Sequence, residues 1–372
     1  MNAANPTKIY KPGKAITNER LNIRSSPDTK SVITNIAGEN IPLAFDGYTN
    51  EGEAISGNSK WYFTNEGHWF WSGGILEDLI PDKFWWLKNE YFATTALWKY
   101  TKGDNVRVAV IDSGIGNNDN INMRNIDGYN FLNDNNNYLD FSNGHGTHIS
   151  GIVTAVGKKV FGLAPNAKLF IAKVINEADE VDSKALIKAL RKCIDLKVDI
   201  VNMSIAITPA DFQKDSYLQE NLPGLINALK QNQIYAVASC GNYEIPLDCY
   251  PAKFEECISV TAVDENLNRY NQACTSGTIN ISAPGVEIFS TIFNNINVNL
   301  SGTSQAAAYV SGFLALMKSF MSTQNGWSYE ELLNQLLNKQ NLTNNSLAYD
   351  QFGNGIINPA KIFSEIKSRD IL

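Results

Sequence analysis

Four short stretches each place a chemically capable residue at the edge of an apolar run. Asp112 closes "VRVAVID" before the turn Ser-Gly-Ile-Gly, and His145 and His148 stand in the glycine-flanked "NGHGTHISG". Asn242 follows "AVASCG", and Ser304 lies in "NLSGTSQAAAYVSG" between a small-residue turn and a run that reads as a buried helix. A carboxylate at a strand end can orient an imidazole, or can simply cap the next turn. Imidazole is the side chain best suited to take and return a proton near neutral pH. A side-chain amide can donate to a developing oxyanion, though an Asn after Gly is also an ordinary turn residue. A serine at a helix mouth is either an N-cap or a nucleophile helped by the positive end of the helix dipole. Two of the three histidines fall at i and i+3, a spacing that also admits a metal. No nearby cysteine, and no third histidine outside the β-rich N-terminal region, completes such a ligand set. His148 therefore reads as a packed or hydrogen-bonded histidine rather than a second base.

These residues need elements to aim them. From about Arg107 onward, "VRVAVID", "VDIVNMSI" and "IYAVAS" are apolar runs of the kind found in parallel strands covered on both faces. "SKALIKALRKCIDLK" and "LPGLINALKQN" carry helical periodicity between them. Strand–helix alternation predicts a doubly wound α/β domain over 107–372, with functional groups just beyond the carboxyl ends of its strands. Residues 81–106, with "FWWLKNEYFATTALWKYTKG", read as a linker and helical lead-in. Residues 16–80 alternate short apolar runs with Gly/Asn/Pro turns and predict a small all-β barrel, preceded by a tail at 1–15. Its aromatics Trp61, Tyr62, Trp69, Phe70 and Trp71 suit either a core or a binding face. Trp61/Phe63 and Trp69/Trp71, each two apart, share a face of their strands.

Composition narrows the partners. The 372 residues carry 31 basic and 38 acidic side chains, a net charge of −7, with no Lys/Arg stripe for phosphates, so nucleic acid is excluded as an expected partner. The apolar stretch Tyr309 to Met317 is too short to span a membrane. "MNAANPTKIYKPGK" holds no apolar signal core, and an odd five cysteines cannot all pair, which predicts free thiols and a cytoplasmic location. A chain trimmed of a signal would look the same and would be secreted.

The motifs occur in the order "VAVIDSGI", "GHGTHISGI", "VASCGN", "SGTSQAAAYVSG". In this the chain resembles the subtilisin-like serine peptidases (subtilases, peptidase family S8) from about Trp98 to about Ile362. "DGYNFL", "GLAPNAKLFIAKV", "YPAKFEECISVTAVD", "SAPGVEIFSTI" and "GNGIINPAKI" add to the resemblance. It implies a subtilisin-like, mostly parallel sheet with helices on both faces. It also implies a triad of Asp112, His145 and Ser304, an oxyanion-hole amide at Asn242, and a polypeptide substrate. Substrate would lie along Ser204, Ile205, Ala206 and Ile207 on one side, Ser239, Cys240 and Gly241 on the other, with Gln305 beside the nucleophile.

The departures from the family are specific. Gln305 replaces a common methionine, which removes an oxidation-prone thioether beside the serine. Ala206 and Ile207 replace glycines that open the primary specificity pocket, so a narrowed pocket is expected. Glu177, Asp179, Glu180 and Asp182 would line the rim of the neighbouring subsites, favouring basic substrates if they are not simply a solvated loop. The family's strong calcium loop is replaced by "TAVGKKVFG", with Lys158 and Lys159 where oxygen ligands would be needed. No metal or other cofactor is expected at that site, although another calcium site is possible elsewhere. In place of the usual propeptide, "LNIRSSPDTKSVI" and "WFWSGGI" resemble bacterial SH3-like (SH3b) domains, whose ligands are cell-wall components or peptides. Leu79-Ile80-Pro81 resembles the short inhibitory extension of intracellular subtilisins. The alternatives to a general endopeptidase are a maturation protease or transpeptidase with one client, and a pseudoprotease scaffold that works through its SH3-like domain.

Overall fold

The computed structural model describes residues 6–368 apart from 18–19, 39–40, 76–81, 89–91, 93, 141–142, 157–158, 324–327 and 345. The Leu79-Ile80-Pro81 motif and Lys158 lie outside the described residues. The chain divides into two compact units, Met1–Asp82 and Lys83–Leu372.

In the first unit, six strands form one antiparallel sheet: β1 (Ile9–Ile16), β2 (Leu21–Arg24), β3 (Ile33–Ala37), β4 (Pro42–Thr49), β5 (Trp61–Phe63) and β6 (Trp69–Trp71). They lie side by side as β1-β4-β5-β6-β2-β3. The stretch read as a tail at 1–15 thus holds most of the first strand. "KPG" suggests a turn, but Pro12 sits in an edge strand where the register shifts between Tyr10 and Gly13. At such an edge a missing N–H breaks no ladder. The β5–β6 hairpin is covered on both faces. Trp61, Phe63 and Trp69 pack with Ile55 and Trp71 on one side, and Tyr62 and Phe70 pack with Leu21, Ile23 and Ile75 on the other. The indole N–H groups of Trp61 and Trp71 donate to the carbonyls of Glu53 (2.9 Å) and Asn58 (3.0 Å), satisfying their polar edges. The aromatic cluster is this unit's core.

In the second unit, seven parallel strands form the central sheet: β7 (Arg107–Asp112), β8 (Ile126–Asn130), β9 (Lys168–Lys173), β10 (Ile200–Met203), β11 (Tyr235–Ser239), β12 (Cys257–Val263) and β13 (Ile281–Pro284). Their order is β13-β12-β11-β10-β7-β9-β8. Chain direction across the sheet reverses between β7 and β10, the switch point where such sheets open a crevice. A separate hairpin pairs β14 (Ile288–Thr291) with β15 (Asn297–Leu300). The helices are α1 (Trp85–Lys88), α2 (His145–Thr154), α3 (Ser183–Asp195), α4 (Pro209–Lys214), α5 (Ser216–Gln231), α6 (Thr303–Ser322), α7 (Tyr329–Leu337), α8 (Tyr349–Phe352) and α9 (Pro359–Ser368). α6 packs on α2 and across β10 to β13, while α3 and α5 pack together and share a core with the inner strands.

Two local readings differ from the structure for identifiable reasons. The helical signal at "LPGLINALKQN" begins at Ser216, where Asp215 accepts the Leu218 N–H (2.9 Å) as N-cap. The helix then continues through Pro223, whose missing hydrogen bond is offset by burial of Leu218, Leu222, Ile226 and Leu229. Among the described residues of the lead-in, the α-helix is confined to Trp85–Lys88, with 3-10 turns at Asp82–Phe84 and Thr94–Leu97. Its aromatics fix it instead, since Trp86 and Phe92 meet the Tyr309 ring on α6 edge-on, and Phe84 meets Phe161 and Phe289.

Candidate active site

Asp112, the last residue of β7, is fully buried, and its carboxylate meets His145 Nδ1 at 2.8 Å and 3.0 Å. A buried charge needs such a partner. The Ser113 N–H also donates to Asp112 Oδ1 (2.7 Å), fixing the carboxylate plane. Nδ1–H is therefore the donor toward Asp112, leaving His145 Nε2 as a base. His145 opens α2 and keeps 24% of its side chain exposed. Burial pushes its pKa down, but Asp112's charge and hydrogen bond, with Asp179 and Asp140 further out, outweigh this and raise it.

Ser304 lies in the first turn of α6, so its N–H is among the helix donors without an intrahelical acceptor. Its hydroxyl donates to the Ser204 carbonyl (3.3 Å), and the Ser204 hydroxyl donates back to the Ser304 carbonyl (2.9 Å). Behind this clasp, Asn202 Nδ2 donates to Ser204 Oγ (2.9 Å) and Ser311 Oγ donates to Asn202 Oδ1 (2.9 Å). The end of β10 is thereby fastened to α6 at two levels. Asn242 follows β11 and accepts the Thr303 N–H on Oδ1 (3.0 Å), which leaves its NH2 group as a donor. Two glycines make this approach possible. Gly241 takes φ +106°, and a Cβ on Gly302 would lie 2.9 Å from Gln305 Oε1 and 3.2 Å from Asn242 Nδ2.

A cleft of about 350 Å3 brings together His145, Ser304, Asn242, Ser204, Ile205, Ala206 and Ser239, joined by Asn143, Ile175, Asp179, Val181 and Tyr243. Ile207, Cys240, Gly241 and Gln305 are not among these lining residues. Ile207 exchanges two 2.8 Å backbone bonds with Tyr250, and Cys240 packs with Cys249 and Cys274 in a small apolar cluster. Gln305 is 2% exposed. Of the acidic run, Asp179 reaches the cleft and accepts from Asn143 Nδ2 (2.7 Å), while Asp182 caps α3 through the Ala185 N–H (2.7 Å). His148 is buried, with Nε2 3.1 Å from the Ile288 carbonyl, and burial drives its pKa down to about 3.

Sequence reasoning missed Asp140, Asn202 and Ser311. Asp140 accepts Ser113 Oγ–H (2.6 Å) and the N–H groups of Asn143 (3.0 Å) and Gly144 (2.9 Å), so it anchors the two residues that lead into His145. The available signals were a carboxylate five residues before His145 and polar residues inside otherwise apolar runs.

A buried carboxylate paired with an imidazole, and a serine hydroxyl in the cleft that the imidazole lines, are the residue types of a nucleophilic serine site. The chain belongs to the subtilase family, whose sequence profile matches residues 103–355. It is 32% identical over 235 residues to the thermostable alkaline protease of Halalkalibacterium halodurans, covering 63% of this chain and 62% of that relative. It therefore spans under two thirds of that relative's length. Subtilisin DY of Bacillus licheniformis is 31% identical over 270 residues, covering 69% of this chain and 90% of that protein. Among solved structures, a lanthipeptide protease has the same fold with a TM-score of 0.68 at 18% identity, covering 78% of this chain and 96% of that one.

The segment after α2, where the resemblance to the family would place a calcium loop, is held by Asn120. Asn120 Oδ1 accepts the N–H groups of Lys159 (2.6 Å) and Val160 (3.1 Å), and Val156 N–H donates to the Asn120 carbonyl (2.7 Å).

The charges around His145 give a pH test. Activity that needs the neutral imidazole rises as pH climbs through the His145 pKa, which Asp179 helps to raise. Asp179→Asn is expected to lower that pKa and move the acid limb of the kcat/KM profile to lower pH. A limb that stays in place at low ionic strength would show that Asp179 has no electrostatic hold on His145.

Proposed function

We propose that the chain is a serine endopeptidase that hydrolyses peptide bonds through an acyl-enzyme. Ser304 Oγ turns from the Ser204 carbonyl toward His145 Nε2, loses its proton there and attacks the peptide carbonyl. Asp112 holds the imidazole tautomer and stabilises the imidazolium. The Asn242 NH2 group and the Ser304 N–H receive the oxyanion. His145 then passes the proton to the leaving amine, and water attacks the acyl-enzyme by the same route in reverse. The observation that carries this reading is the buried Asp112–His145 pair opening onto the cleft that also holds Ser304 and Asn242.

A fluorophosphonate probe tests it. Labelling of the wild type that disappears in Ser304→Ala is expected, with peptide-library cleavage lost in parallel. An unlabelled but folded wild type would overturn the reading.

For the Met1–Asp82 unit, an SH3-like module that binds cell-wall or peptide ligands is the companion proposal. Six short antiparallel strands around an aromatic core support it. Five buried free thiols support a reducing, cytoplasmic workplace.

A further inference from the structure

The segments leaving β10 and β11 form facing walls beside Ser304. These strands are parallel neighbours, with Met203 opposite Ala238, so the walls diverge from a common base. Three crossings tie them together. At the base, Ser239 Oγ donates to the Ile205 carbonyl (3.1 Å), and furthest out Ile207 and Tyr250 exchange backbone bonds of 2.8 Å. Between these, the Tyr243 hydroxyl donates to the Ala206 carbonyl (3.3 Å).

The middle crossing differs in kind. The outer one is main chain, and Ser239 is 2% exposed, so neither can swing clear. Tyr243 is 43% exposed and held by one neutral hydrogen bond, so rotation about its χ1 would carry the ring into solvent. It also directly follows Asn242. A carbonyl seated between the Asn242 amide and Ser304 has its own residue's side chain starting one carbon away, in the space between these walls. Behind the Tyr243–Ala206 crossing lies apolar lining, since Ala206 packs on the cluster of Cys240, Cys249, Ala273, Cys274 and Ile279.

We propose that Tyr243 is a hinged bar across the primary specificity pocket, latched to Ala206, that selects small side chains on the acyl side of the scissile bond. Gly, Ala and Ser side chains fit beneath the closed bar. A Leu or Phe side chain must break the latch and displace the ring before its carbonyl can reach Ser304. This deepens the endopeptidase reading and rests on it.

The test is a peptide library varied at the acyl-side position, with rates expressed per site titrated by the fluorophosphonate probe. Wild type should favour small residues over Phe and Leu by at least tenfold in kcat/KM. Tyr243→Ala should shrink that ratio at least tenfold, mainly by raising the rates for large residues. Tyr243→Phe keeps the ring and loses the latch, so it should fall between, and it guards against a misfolded alanine variant. Labelled enzyme with the same profile in all three proteins would overturn the bar and leave the peptidase reading standing. A wild type that prefers aromatic residues, with the preference lost in Tyr243→Ala, would also overturn it, making the ring a stacking platform. Absence of Ser304-dependent labelling would overturn both.

Discussion

Asp112→Asn is expected to lower kcat about 10^4-fold, the size that the same exchange has in an unrelated serine-protease triad, with little change in KM. The reason lies in how Asp112 is held. Its Oδ1 accepts the Ser113 N–H at 2.7 Å, a bond that an asparagine oxygen would keep. The new NH2 group takes the place of Oδ2, 3.0 Å from His145 Nδ1, and an N–H directed at that nitrogen favours the tautomer in which Nδ1 accepts instead of donating. The imidazole proton moves to Nε2, where the lone pair is needed for Ser304. Because asparagine is neutral and nearly isosteric, no uncompensated charge is left in the core, and the melting temperature should change little. A loss of roughly 10^4 corresponds to about 5.4 kcal/mol of transition-state stabilisation. A kcat within about tenfold of wild type would mean that the tautomer is fixed by something other than Asp112.

Which parts of this site were legible in sequence follows from where each residue acts. Asp112, His145, Asn242 and Ser304 stand at the ends of elements, and apolar runs bounded by glycine turns mark those ends locally. The parallel strands were legible for the same reason, since burial on both faces leaves an unbroken apolar run. Asn202 and Ser311 carry no local mark. Their hydrogen bond joins positions 109 apart, and neither residue's immediate neighbours distinguish such a partner from a bond to nearby backbone. The bridge from Ile207 to Tyr250 carries no local mark either, since its partner lies 43 residues away in a loop. Tyr243 drew no attention because a tyrosine in a turn is ordinary until its hydroxyl is seen to cross the cleft. The first strand was hidden by Pro12 and Gly13, which are turn-formers everywhere except at a bulged sheet edge.

Asn242 does two jobs with one side chain, and two substitutions separate them. Oδ1 accepts the Thr303 N–H at 3.0 Å, which ties the β11 loop to the first turn of α6, while the side chain lines the cleft with its NH2 group left to donate. Asn242→Ala removes both functions. It is expected to cost about 10^2–10^3-fold in kcat, the size found for the equivalent donor in subtilisin, a member of the same family. It should also lower the melting temperature, because a helix N–H loses its acceptor. Asn242→Asp keeps the acceptor and places a negative charge at a helix N-terminus, where the dipole favours it. Its melting temperature should equal or exceed that of wild type. Its kcat should nevertheless fall at least as far as in the alanine variant, since the donor is gone and a carboxylate faces the developing oxyanion. KM should move far less than kcat in both, because the contact strengthens only as the charge forms. If the two variants lost kcat in proportion to their loss of stability, Asn242 would be a tie for α6 and nothing more. A stable Asp variant with collapsed kcat would assign the amide to the oxyanion.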